Sequence, residues 1–250
     1  MMLRNLLLTL CCFISLSVQA FANDVFLMTE EFPPYQFYKG DRENKVLTGI
    51  SIEIMTEVQK IVGHNSDIKV YPWSRSLKVL KKRKNSALFS TARTPGREEL
   101  YQWVGPLAKL EIVFFKKRGS DIQLENIDDA KKIDKIGVTK NVATHEILSN
   151  LGFNNLDVVQ SGADEKNIKR LVKGRIDAWP TAYYAGVYNA KKLGYADQIE
   201  VIDNVTLMTG YLYLAFNKES DPDIIHIWQS ALDQLKTEGV IQKILDKYGI

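Results

Sequence analysis

The chain has 250 residues, of which 45% are hydrophobic, 10% aromatic and 25% charged, with ordinary glycine and proline usage. These values exclude collagen-like, low-complexity and largely disordered classes. A formal net charge of +3 is too small for a dedicated nucleic-acid binder, and the length fits one large or two small domains.

Met1 to Ala22 reads as a cleaved secretory signal. Arg4 supplies the positive start, Leu6 to Val18 is almost wholly apolar, and Ala20-Phe21-Ala22 offers the small-x-small pattern of a cleavage site. The apolar run falls well short of the roughly 20 residues that a spanning helix needs. Both cysteines, Cys11 and Cys12, lie inside this signal, so the mature chain is expected to carry no disulfide and no thiolate chemistry. The expected address is a bacterial periplasm.

Val25 to Met28 is the first predicted strand, and two prolines then break regular structure in Phe32-Pro33-Pro34-Tyr35. Ile50, Ile54, Val58 and Ile61 recur at helical spacing and predict a helix from Ile50 to Val62. Ile68 to Tyr71 reads as a strand. Ser74 is placed to cap a helix running to Lys82, with Leu77 and Leu80 inward. A strand at Ala87 to Phe89 leads into a polar loop from Ser90 to Gly96.

The pattern then restarts. Strands are predicted at Ile112 to Phe115, Lys135 to Val138 and Val158-Val159, with helices at Thr144 to Leu151 and Glu165 to Val172. Ala178-Trp179 ends another strand before a helix from Tyr183 to Lys192. Two separate strands, Ile199 to Ile202 and Tyr211 to Phe216, precede a helical C-terminus from Pro222 to Tyr248. Strands alternating with helices predict an α/β fold. Strand-rich segments near Leu107–Phe115 and Thr209–Phe216 suggest a pair of strands crossing between two lobes. Lobe 1 is expected to comprise residues 23–108 and 212–250, and lobe 2 residues 109–211, with a cleft between them.

Enzyme and metal signatures are scarce. The three histidines, His64, His145 and His226, lack metal-ligand spacing, and no phosphate loop, dinucleotide fingerprint or nucleophile elbow occurs. His145 reads as a surface helix residue. Lys78, Lys81, Lys82, Arg83 and Lys84 read as a solvated helix face, since nucleic-acid grooves interleave aromatics with their charges. No cofactor or metal is expected.

The segment from Ser90 to Glu99 is different. It follows a strand, so in an open α/β sheet it lies at the edge where ligands bind. Ser90, Thr91 and Thr94 offer hydroxyls, while Arg93 and Arg97 offer planar forks suited to a carboxylate. Arg97 is equally suited to an ion pair with a neighbouring glutamate, and chemistry alone leaves both readings open. Phe32, Tyr35, Trp73, Trp103 and Trp179 sit at strand ends or loops, where rings line pockets or fill cores. Arg75 adds a further candidate cation.

At these residues the chain resembles the extracellular solute-binding proteins of family 3, the periplasmic amino-acid binders of ABC importers. Phe32-x-Pro34-Tyr35-x-Phe37, followed by Gly49-Ile50-x-Ile52-x-Ile54, is similar to the family's opening. Thr91 to Arg97 resembles its T-x-x-R segment, Gly137-Val138 with Thr139 to Thr144 its second-lobe strand and helix start, and Gly174 to Ala178 its G-x-x-D-A strand. Leu214 to Lys218 resembles the returning strand. The resemblance spans nearly all of the mature chain. It implies a type II periplasmic-binding-protein-like fold, two α/β lobes joined by two crossing hinge strands.

The implied function is non-enzymatic: a monomer that captures a small carboxylate-bearing solute, an amino acid or a related compound, and delivers it to an ABC permease. Arg97 would clamp the carboxylate with help from Thr91 and Arg93, and Thr139, Ala143 and Thr144 would serve at a helix start in lobe 2. Phe32, Tyr35, Trp73, Arg75 and Trp179 would complete the site. The same fold also implies two alternatives, a sensory partner of a membrane kinase or chemoreceptor, and a cyclohexadienyl-dehydratase-like enzyme using Glu30, Glu31 or Asp177. Two departures stand out. Ser51 replaces an Asp of the opening helix, and Ala182 stands where the family places the Asp that holds an α-ammonium. The family's Gly-rich second-lobe loop is here Lys140-Asn141-Val142-Ala143.

Overall fold

The computed structural model describes residues 25–41, 43–160 and 163–249. The signal segment Met1 to Ala22 lies outside the described residues. In chain order the strands are β1 (Phe26–Thr29), β2 (Phe37–Lys39), β3 (Val46–Thr48), β4 (Lys69–Val70), β5 (Ser86–Ala92), β6 (Tyr101–Lys117), β7 (Ile136–Thr139), β8 (Leu156–Val159), β9 (Ala178–Ala182) and β10 (Ile199–Asn217). The helices are α1 (Ile50–Val62), α2 (Trp73–Lys82), α3 (Ala143–Asn150), α4 (Ala163–Val172), α5 (Tyr183–Lys192), α6 (Pro222–Thr237) and α7 (Val240–Lys247). The order is that of a two-lobed α/β protein.

An eight-stranded sheet runs in the order β4-β1-β5-β10-β6-β9-β7-β8. Its middle is made by β6 and β10, of 17 and 19 residues, paired antiparallel from Tyr101↔Asn217 to Lys117↔Ile199. At about 3.3 Å per residue such strands are long enough to pass from one lobe into the other. Leu212 to Phe216 of β10 pairs with β5, while Ile112 to Lys116 of β6 pairs with β9. Irregular register between Val201 and Thr206, Thr206 and Met208, and Leu212 and Leu214 lets the pair bend between the half-sheets.

Period-2 alternation puts each strand's side chains into two layers. Ala87 and Phe89 join the central core, whereas Leu88 between them packs with Met28, Trp73, Leu80, Tyr101 and Ala215. In lobe 2, Phe114 faces the central core, and Val113 and Phe115 face Ile168, Leu171, Ile176 and Trp179. In α1, Ile50, Ile54, Met55, Val58 and Val62 are buried, and Gly63 ends the helix in the left-handed conformation at φ 71°. The C-terminal α6 packs on α1 through buried Trp228 and Leu232, with the Asp221 side chain accepting from the Asp223 N–H at its start.

Several expectations are corrected. The polar loop after β5 starts only at Arg93, because the strand runs on through Ser90 to Ala92, with Thr91 and Ala92 paired to β10. Tyr211 to Phe216 is continuous with Ile199 to Ile202 in one strand, and Ala178-Trp179 begin their strand instead of ending it. Helix α2 starts at Trp73 with Pro72 at its N-cap, so Ser74 lies inside it and caps nothing. The C-terminal helix breaks at Gly239, whose φ of 72° no α-helix accommodates. The β2–β3 hairpin was not anticipated.

Candidate functional site

A cavity of about 620 Å³ opens between the lobes. Its lobe-1 wall carries Glu30, Phe32, Trp73, Ser90 and Arg97, and its lobe-2 wall Thr139, Thr144, Asp164, Trp179 and Thr181. The wall from lobe 1 is anchored by the end of β5. Ser90 takes a left-handed φ of 58°, its hydroxyl donates to Gln36 Oε1 at 2.7 Å, and it lies 2.8 Å from the Ser51 hydroxyl. Ser51, buried in the first turn of α1, thus fixes a residue of the cavity wall from behind.

Arg97 follows on the short 3₁₀ turn Pro95–Leu100 and is 3% exposed. Its Nε donates to Glu146 of α3 at 2.7 Å, Nη1 to the Ala92 carbonyl at 3.3 Å and Nη2 to the Asn141 carbonyl at 3.2 Å. A guanidinium has five N–H donors, so one on each terminal nitrogen is left over, which is what a bidentate carboxylate takes. Of the two readings of Arg97 from the sequence, the ion pair is present, though with a glutamate of the other lobe, and the side chain also faces the cavity. The Trp73 ring lies under it, 5.2 Å from the guanidinium carbon. The Trp73 indole N–H donates to the same Asn141 carbonyl, which Asn141 presents from a left-handed φ of 64°.

Across the cleft, Thr144 lies in the first turn of α3, is 6% exposed and lines the cavity with Ala143. The first N–H groups of a helix have no carbonyl four residues earlier to bond, so this end favours an anion. Thr139, at the end of β7, lies 3.5 Å from the Asn167 amide. Trp179 walls the cavity's lobe-2 side while packing 5.6 Å from Phe115 in the core. Phe32 stacks on Tyr35 at 5.0 Å and lines the cavity.

Four candidates stand elsewhere. Tyr35 is fully buried, with its hydroxyl donating to the Lys109 carbonyl on β6 at 3.2 Å. Thr91 belongs to β5, so its side chain alternates away from Ser90 and donates to the Leu88 carbonyl at 2.9 Å. Arg93 turns outward, its guanidinium forked on Glu98 and lying 5.6 and 5.3 Å from the Trp103 and Tyr213 rings. Arg75 is exposed on α2 and covers the Tyr71 ring at 4.1 Å. Asp177 accepts from the Lys135 N–H at 2.9 Å and takes no part in the cavity wall.

The sequence reading missed Asp164 and the polar residues behind it. Asp164 opens α4, and its carboxylate accepts from the Asn189 amide of α5 at 3.1 Å and from the Thr181 hydroxyl of β9. Burial pushes its carboxyl up to about 6 against those two hydrogen bonds. Glu30, half-buried on the facing lobe, is pushed up to about 8 by burial and by the Asp164 charge, with Arg97 acting the other way. One signal in the sequence pointed here: Asn189 stands among small apolar residues on the buried face of α5, where an amide needs a partner. Among the described residues no group of three or more His, Cys, Asp or Glu side chains is placed to hold a metal ion, and no helix is long and apolar enough to cross a membrane.

Residues 25–250 match the bacterial extracellular solute-binding proteins, family 3. A probable amino-acid-binding protein of Bacillus subtilis, YxeM, is 24% identical over 210 residues, which cover 83% of this chain and 78% of that protein. The L-cystine-binding protein TcyA of the same organism is 23% identical over 225 residues, covering 87% and 77%. Among solved structures, a histidine kinase sensor domain with similarity to periplasmic binding proteins superposes with a TM-score of 0.80 at 17% identity, covering 91% of this chain and 97% of that one. A mutant of the arginine-binding protein ArgBP of T. maritima superposes at 0.75 with 18% identity, covering 88% and 93%. These structural likenesses establish the fold.

Proposed function

The chain belongs to the bacterial extracellular solute-binding proteins, family 3, and from that premise we propose that it captures a carboxylate-bearing solute, an amino acid or a related compound, and hands it to an ABC importer. The observation that carries this reading is Arg97, buried in the cavity wall with two N–H donors left for a ligand and facing Thr144 at the start of α3. The relatives named as amino-acid binders support the solute class.

In this reading lobe 1 (residues 23–108 and 212–250) and lobe 2 (109–211) close about β6 and β10. Closure removes water from the solute and strengthens its charged contacts. The protein acts as an exported monomer in the periplasm, freed of residues 1–22, and releases its solute chemically unchanged to the permease. Calorimetry with an amino acid and its decarboxylated amine tests the carboxylate. The amine is expected to bind more weakly, and Arg97→Ala to abolish the difference. Equal binding of both by the unmodified protein would refute the reading.

A further inference from the structure

Ala182 on the cavity wall offers a solute no charge, and the charged groups of the cavity lie elsewhere. Arg97 is answered by Glu146, and Glu165 has Lys192 at 3.9 Å. Glu31 and Lys140 are exposed at the rim. Glu30 and Asp164 remain, one carboxylate on each lobe, both facing the cavity, and neither has a cation within 4 Å among the described residues.

We infer that the positive group of the captured solute is held between Glu30 and Asp164, one carboxylate from each wall of the cavity. The inference rests on the solute-binding reading above and adds the residues that select the solute. Asp164 is built for such a role. Two buried polar side chains on different elements, Asn189 of α5 and Thr181 of β9, hold its carboxylate, and neither brings a charge that would neutralise it. A carboxylate fixed this way is oriented before the ligand arrives. Glu30 feels the Asp164 charge across the cleft, so at neutral pH the empty site keeps Glu30 protonated, and ionising it there would set two like charges against each other. A cation between them removes that repulsion and bridges the lobes, coupling recognition to closure.

A proton is part of the exchange. Without ligand, Glu30 holds its proton up to about pH 8. Seating a cation requires the charged carboxylate, so binding releases a proton and tightens as pH rises from 6 to 8. The other ionisable groups facing the pair are Arg97, tied to Glu146, the Glu165–Lys192 pair, and Glu31, Tyr71 and Lys140 along the wall and rim.

The test is a thermal-shift and calorimetry panel of the common amino acids, their decarboxylated amines and their α-keto acids, run on the mature protein and on Glu30→Gln and Asp164→Asn. Every stabilising compound should carry an ammonium or guanidinium group. Both variants should stay folded without ligand, because each amide keeps the shape of the carboxyl it replaces and Glu30→Gln substitutes a group already uncharged at neutral pH. They should nonetheless bind the best compound at least about tenfold more weakly, the size of effect expected when one partner of a desolvated charge pair is lost. Unmodified protein should bind it more tightly at pH 8 than at pH 6, and Glu30→Gln should lose most of that dependence. An α-keto acid bound as well as its amino acid, or undiminished binding by Asp164→Asn, would overturn the inference. If Arg97→Ala still lost such a compound, solute capture would survive without it. A panel with no binder would overturn both.

Discussion

At Arg97 one guanidinium serves both lobes. It bonds the Ala92 carbonyl at its own end of the cleft, and Glu146 and the Asn141 carbonyl at the other. Arg97→Ala therefore removes the proposed carboxylate clamp and leaves Glu146 without its partner. Binding should weaken by roughly 2–5 kcal/mol, the usual range for breaking a buried charge pair, as read by calorimetry. Glu30 makes a separate prediction for the protein without ligand. Its carboxyl is raised from 4.5 to about 8, so between those values the folded chain holds a proton that the unfolded chain has lost. Stability falls as pH rises through that window, and Asp164 adds the same sign between 3.8 and about 6. The melting temperature at pH 8 should lie below that at pH 5, and Glu30→Gln should flatten the slope. A ligand-free protein that gained stability over this range, or a Glu30→Gln variant with the slope intact, would contradict the assignment.

Among the elements, α5 illustrates how closely helix and sheet approach behind the cavity. A Cβ on Gly186 would stand 2.4 Å from the Phe115 ring and 3.0 Å from Thr181. Phe115 is itself packed on Trp179, so the ring has no room to retreat. Gly186→Ala should destabilise by about 1–3 kcal/mol, as overpacking does, and should also disturb Thr181 and with it the support of Asp164. Denaturant unfolding and the panel compound's affinity should both report it. The loop between β7 and α3 makes the opposite case, in which backbone conformation matters more than packing. Asn141 holds a left-handed φ of 64° so that one carbonyl can accept from both Trp73 and Arg97. Asn141→Gly should be tolerated, whereas Asn141→Val should lower the melting temperature, because a β-branched residue is strained at positive φ.

For the molecule as a whole, the two lobes are held by the β6–β10 pair and by contacts across the cleft: Arg97 with Glu146, Trp73 with Asn141, and Phe37 tilted against Tyr188 at 5.2 Å. The contacts are few beside the core of each lobe, and the irregular register of β10 lies where the strands cross. Rigid-body opening about that crossing, near Leu107–Glu111 and Thr209–Tyr213, is the motion this arrangement allows. Small-angle scattering should show a more compact protein with saturating solute than without. Glu146→Gln should shift the ligand-free protein towards the open form. Identical profiles in all these states would argue against hinge closure.

How much of this was legible in the sequence follows from which forces are local. The helices Ile50–Val62 and Tyr183–Lys192 were readable to the residue, because the spacing of apolar side chains and the flanking residues specify them without reference to the rest of the chain. The two-lobed order of strands and helices and the solute-binding family were readable for the same reason. The site was readable only in part. Of the candidates named from their segments, Arg97, Trp73, Thr139 and Thr144 line the cavity, but nothing local separated Thr91 from Ser90. Strand alternation turns Ser90 to the cavity and Thr91 into the sheet, and that depended on β5 running further than its apolar residues suggested. Asp164 lay just before the helix expected from Glu165, and only folding brought Asn189, 25 residues away, against it. Glu146 is 49 residues from Arg97 and meets it only when the lobes meet. The sequence by itself determined the elements and the family, through short-range periodicity and backbone preference. Tertiary structure alone decided which charges are paired and which are left facing the cavity, because a Coulomb interaction depends on distance and local dielectric, and chain folding sets both.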